Sequence, residues 1–118
     1  MEREELLNLM TDLESDRAER KAWISDSSGI RHTICAFAND LPDHRAPGVL
    51  FIGVNDDGTC ANLPITDDLL KRMSEYRSDG KILPPPHVEV RKERINNCDF
   101  AVIIVHPSDS SALRCDGQ

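Results

Sequence analysis

Aromatic side chains are scarce, 4% of the chain: Trp23, Tyr76, Phe37, Phe51 and Phe100. That scarcity argues against a domain that spreads a long single strand over many aromatic platforms. Positive charge is also short, since the formal net charge is −7. Domains that coat nucleic acid through bulk charge are strongly basic, so any such contact here must come from a local basic patch. No Cys-x-x-Cys pair occurs among Cys35, Cys60, Cys98 and Cys115. Structural zinc sites need paired ligands at short spacing, so these cysteines read as separate, reduced thiols. His32, His44, His87 and His106 are equally scattered. Gly48, Gly53 and Gly58 build neither a dinucleotide fingerprint nor a P-loop. A Gly-x-Ser-x-Gly nucleophile turn is missing too. The longest apolar runs, residues 49–54 and 100–105, fall far short of the ~20 residues that a spanning helix needs. The acidic opening Met1-Glu2-Arg3-Glu4-Glu5 is unlike a signal peptide. A cytoplasmic chain with no membrane partner is the expectation.

What is present suits one domain over residues 1–118, with a modest core from the 39% of apolar residues. Leu6, Leu7, Leu9 and Met10 predict a helix over residues 2–10, with acidic residues at its positive end. Residues 19–25 alternate Arg20, Ala22 and Ile24 against Glu19, Lys21 and Trp23, a strand pattern. A second helix over residues 30–39 starts from a Ser27 or Ser28 cap, and Ile30, Ile34, Phe37 and Ala38 form its buried stripe. Residues 49–54 read as a strand buried on both faces. Asn55-Asp56-Asp57-Gly58 reads as a hairpin turn into a short strand over residues 59–63. Thr66 caps a third helix over residues 67–77. Strands over residues 87–95 and 100–105 flank an Asn96-Asn97 turn, and the polar residues 107–118 read as an exit loop. The order α-β-α-β-β-α-β-β predicts an α/β (α+β) fold, a mixed sheet of about five strands with helices packed on it.

Two sets of residues carry chemistry. Glu14 and Glu19 flank the entry to the first strand, and Asp56 and Asp57 stand at the exit of the strongest one. Carboxylates gathered around a hard divalent ion such as Mg²⁺ or Mn²⁺ suit phosphodiester hydrolysis; aspartates in such a turn also serve simply as turn residues. The cations cluster twice, as Arg17, Arg20 and Lys21 and as Arg91, Lys92 and Arg94. If their strands are neighbours, the clusters merge into one phosphate-binding face. The alternative is a solvated face balanced by Glu89 and Glu93.

Five segments together resemble a known family. Glu14-Ser15-x-x-x-Glu19-Arg20-Lys21 is similar to its opening Glu-Ser-x-x-x-Glu-Phe-Lys. Ile34-Cys35-Ala36-Phe37-Ala38-Asn39 is similar to its helix end, and Leu50-Phe51-Ile52-Gly53-Val54-Asn55-Asp56-Asp57-Gly58 to its central strand and turn. Ile82-Leu83-Pro84-Pro85 and Val102-Ile103-Ile104-Val105-x-Pro107-Ser108 follow in order. Over roughly residues 10–117 the chain resembles the Schlafen-type AlbA_2 domain. The resemblance implies a DNA- or RNA-binding module at the front of a longer prokaryotic transcriptional regulator or helicase-related protein, with no cofactor. Its animal branch cleaves RNA with three carboxylates. Glu14 and Glu19 match two of these, and Asn55 stands in the third slot, with Asp56 or Asp57 as stand-ins. Arg20 replaces the usual Phe, and a longer loop, residues 40–48, replaces the usual Gly-Gly. The third reading is an interaction domain that forms a homodimer through a sheet edge, left open where a further family strand would pair.

Overall fold

Both long apolar runs become the middle of one sheet in the computed structural model, which describes residues 1–24, 27–78, 80–108 and 114–115. The elements are α1 (Arg3–Thr11), β1 (Ala18–Lys21), α2 (Ser27–Asn39), β2 (Gly48–Ile52), α3 (Asp67–Glu75), β3 (Ile82–Leu83), β4 (Val88–Ile95), β5 (Cys98–Val105) and β6 (Arg114–Cys115). Four strands form a mixed sheet in the order β1-β2-β5-β4. β1 runs parallel to β2, while β5 is antiparallel to both of its neighbours.

The runs are continuous because helices cover both faces of β2 and β5. Val49, Phe51, Phe100, Val102 and Ile104 point to one side and pack with Leu6, Leu9 and Met10 of α1. Leu50, Ile52, Ala101, Ile103 and Val105 point to the other and pack with Ile30, Ile34 and Ala38 of α2 and Met73 of α3. Three layers result: α1, the sheet, then α2 with α3. Thr66 caps α3 as expected, its hydroxyl accepting from the Leu69 amide at 3.2 Å. Asn96 and Asn97 both take positive φ, 52° and 63°, and turn β4 into β5.

The structure differs from expectation in several places. No strand forms over residues 59–63; only the isolated bridge Val54↔Cys60 remains. A hairpin partner for β2 needs a free edge, and β1 and β5 already occupy both. β1 ends at Lys21 rather than running to residue 25, because the chain bends there to bury Ile24 in the α2–α3 core. The tail contributes β6, which pairs with β3 as a separate two-stranded sheet. Cys60 and Cys98, expected as separate thiols, are joined, with Cα atoms 5.7 Å apart. The Val54↔Cys60 bridge beside the start of β5 places them together, a proximity that spacing along the chain cannot reveal. Cys35 is buried and stands outside that link. The expected Ser27 or Ser28 cap falls inside α2, and the residues just before it lie outside those described. Among the described residues no helix is long and apolar enough to cross a membrane.

Candidate functional site

Strand register decides which cations can meet a ligand. The two clusters do not merge, since β1 and β4 are opposite edges of the sheet with β2 and β5 between them. Three inter-strand spacings separate them, roughly 14 Å. The expectation of a single face built from neighbouring strands is therefore corrected.

Side chains alternate between faces along a strand, so each register row belongs to one face. Arg20, Phe51, Val102 and Arg91 form one row, and Phe51 and Val102 pack with α1. Both arginines are engaged there. Arg20 is 8% exposed. Its Nε donates to the Met10 carbonyl at 2.7 Å, and one terminal nitrogen donates to Leu9 at 2.8 Å and Asp12 at 2.7 Å. These are carbonyls at the C-terminal end of α1, which lack partners within the helix and carry its partial negative charge. Arg91 holds the other end: it donates to the Met1 carbonyl at 3.0 Å and pairs with Glu89 at 3.4 Å and Glu93 at 3.3 Å. Arg3 joins this group through Glu93 at 3.5 Å and the Arg94 carbonyl. Arg17 is engaged as well, donating to the Pro47 carbonyl at 3.0 Å with Glu5 at 3.8 Å. The α1-side arginines thus strap the helix across the sheet.

The next row is Lys21, Ile52, Ala101 and Lys92, on the α2–α3 face. Arg94 lies two residues beyond Lys92 and shares that face. Lys21 and Lys92 have no partner among the described residues, and Arg94 has only an exposed pair with Asp99 at 3.0 Å. Exposed pairs of that kind hold a side chain weakly.

Beside Lys21 an open cleft of about 560 Å³ lies at the C-terminal ends of the parallel pair β1–β2. Arg20, Lys21 and Trp23 form one wall; Asn55, Asp56 and Asp57 form the other. Strand ends of this kind are where open α/β sheets place their ligands. The second wall is a tightly bonded turn. The Asn55 amide donates to the Thr59 carbonyl at 2.8 Å, and Gly58, at φ 87°, donates back to Asn55 at 2.9 Å. Asp57 accepts from the Thr59 hydroxyl at 2.6 Å and its amide at 3.0 Å. Those bonds, the hydroxyl's foremost, hold the Asp57 carboxyl below its ordinary 3.8. A lowered folded value means the contribution is present above the unfolded pKa and fades as pH falls through the folded one. Thr59→Val removes the hydroxyl, so the Asp57 carboxyl should titrate closer to 3.8; an NMR titration with an unmoved midpoint contradicts this assignment.

The expected carboxylates do not gather. Glu14 and Glu19 are exposed at the β1 side, and Asn55, in the third acid's slot, is bonded into the turn. Among the described residues no three of the His, Cys, Asp and Glu side chains stand close enough to hold a metal ion. The donor set as placed does not fit a Mg²⁺ or Mn²⁺ centre.

The longer loop is organised by Asp40, which accepts from the Arg45 amide at 2.7 Å and the His44 amide at 2.9 Å. His44 in turn meets Asp16 at 2.7 Å.

Trp23 is the site residue that sequence reasoning passed over, although its alternation with Glu19 and Lys21 already put it on a polar side.

Comparison with known proteins agrees with this architecture. Curated protein sequences give no significant match. The solution NMR structure of the N-terminal domain of a RecG-related protein from Nitrosomonas europaea, whose name connects it with ATP-dependent DNA helicases, is similar at 25% identity and a TM-score of 0.61. The match covers 85% of this chain and 74% of that one. The family model described as Schlafen, AlbA_2 matches residues 14–117, so the chain belongs to the Schlafen AlbA_2 family.

Proposed function

We propose that this chain is a nucleic-acid-binding module of the kind that fronts transcriptional regulators, and that it holds phosphates through Lys21, Lys92 and Arg94. The observation that carries the reading is the sorting of cations by face. Arg17, Arg20 and Arg91 are turned to the protein's own carbonyls and carboxylates. Lys21 at one edge of the sheet, and Lys92 with Arg94 at the other, have no such internal use beyond the exposed Asp99 pair and stay open to solvent partners. Family membership and the likeness to a helicase-related domain support the same reading. The overall charge of −7 keeps indiscriminate binding weak, so contact is local.

Three phosphate contacts fix the salt response. The logarithm of the binding constant should fall against log salt with a slope of about −3 for duplex DNA and about −2 for a single strand. Reversing Lys21 and Lys92 to Glu together should weaken all sequences alike and flatten that slope, because phosphate contacts carry no sequence information. Anisotropy titrations of labelled duplex DNA and structured RNA at several salt concentrations check this. Failure to bind either at low salt refutes the proposal.

A further inference from the structure

Trp23 is the chain's sole tryptophan, and it is 63% exposed. A tryptophan normally contributes its large apolar area to a core or an interface. Here neither core cluster includes it. The residues on either side of it are nevertheless held. Arg20 on one side is fixed to the end of α1, and Ile24 on the other is buried under α2. Between them the Lys21 carbonyl accepts from the amides of Gly53 at 2.8 Å and Val54 at 3.3 Å. The facing wall is the bonded Asn55–Thr59 turn, tied onward through Cys60 to Cys98. An exposed indole between anchored neighbours, beside a lysine with no partner among the described residues and across an open cleft from a carboxylate, is placed to receive a ligand.

We infer that Trp23 is a stacking platform for one unpaired nucleobase, with the adjoining phosphate at Lys21 and the base edge toward Asp56. The inference rests on the nucleic-acid reading above. The walls orient the nucleotide by charge. The ammonium of Lys21 attracts the phosphate, and the Asp56 carboxylate, which only accepts hydrogen bonds, repels it and favours base N–H groups. Only a base freed from its own stack can cover the indole. The site therefore prefers single strands, ends and bulges over continuous duplex. One platform fits the low aromatic content, which provides for one stacked base and not a row of them.

The lone tryptophan supplies its own readout. Labelled single-stranded oligonucleotide and blunt duplex of the same sequence are titrated against the intact chain. Anisotropy and tryptophan fluorescence are followed together, with excitation at the red edge so that Tyr76 is silent. Single strand should quench the fluorescence in step with the anisotropy, and duplex should bind with little quenching. Trp23→Ala should weaken single-strand binding about 5- to 150-fold and leave duplex binding unchanged. Trp23→Phe, which keeps a ring, should lose less. Anisotropy that rises without quenching, with Trp23→Ala binding like the parent, overturns the stacking site while the nucleic-acid reading stands. No anisotropy change with either ligand at low salt overturns both.

Discussion

Arg20→Ala should lower the stability of the fold by about 3–5 kcal/mol without touching the open cation row. Hydrogen bonds from a charged donor contribute roughly 1.5–3 kcal/mol each and do not add fully. Arg20 makes three, to Met10, Leu9 and Asp12, from a side chain only 8% exposed. Its removal leaves the Leu9 and Met10 carbonyls without a donor and takes away the cation that complements the helix terminus. Arg20→Lys should recover part of the loss, because one ammonium cannot span three carbonyls as the planar guanidinium does. Lys21→Ala, one residue on and facing the other way, should stay within about 0.5 kcal/mol of the parent. Urea denaturation of the three variants checks this. A stable Arg20→Ala chain that has lost nucleic-acid binding would return Arg20 to the phosphate ligands.

Opening the Cys60–Cys98 link should cost about 4 kcal/mol. The two residues are 38 positions apart, and the loop-entropy relation gives roughly that value for a loop of this size. The link holds the segment after the Asn55–Thr59 turn against the first residue of β5, so the cleft wall should loosen before the central strands do. Cys98→Ser, or reductant on the parent chain, should lower the unfolding free energy by about that amount and the denaturation midpoint with it. Cys35→Ala should respond to reductant as the parent does. Equal midpoints with and without reductant, together with alkylation of Cys60 in the untreated protein, would show the two thiols to be separate. Such links are rare in reducing compartments, which sets this pair against the cytoplasmic expectation.

The elements with strong local signals were legible from the residues alone. Leu6, Leu9 and Met10 marked α1, Thr66 marked the start of α3, Asn96-Asn97 marked the β4–β5 turn, and the runs at residues 49–54 and 100–105 marked strands covered on both sides. What escaped depends on neighbours distant in sequence. The hairpin expected after Gly58 failed because β1 and β5 had taken both edges of β2. Arg17, Arg20 and Lys21 look alike as a charge run, yet the pleat sends Arg20 to α1 and Lys21 to the opposite face. The same alternation separates Arg91 from Lys92. Composition cannot assign a face, whereas one register row can. Trp23 needed no structure to be noticed, only the alternation that grouped it with Glu19 and Lys21.

The central claim is that nucleic acid meets Lys21, Lys92 and Arg94, and not the arginines that hold α1 to the sheet. Amide chemical-shift mapping of the labelled chain against an oligonucleotide carrying a single-stranded overhang, at low salt, tests it most directly. The account predicts shifts at Lys21, Trp23, Asp56, Lys92 and Arg94 that fade together as salt is raised, with the first turn of α1, residues 3–6, unmoved. Shifts confined to residues 3–6 of α1, or none anywhere, would contradict it.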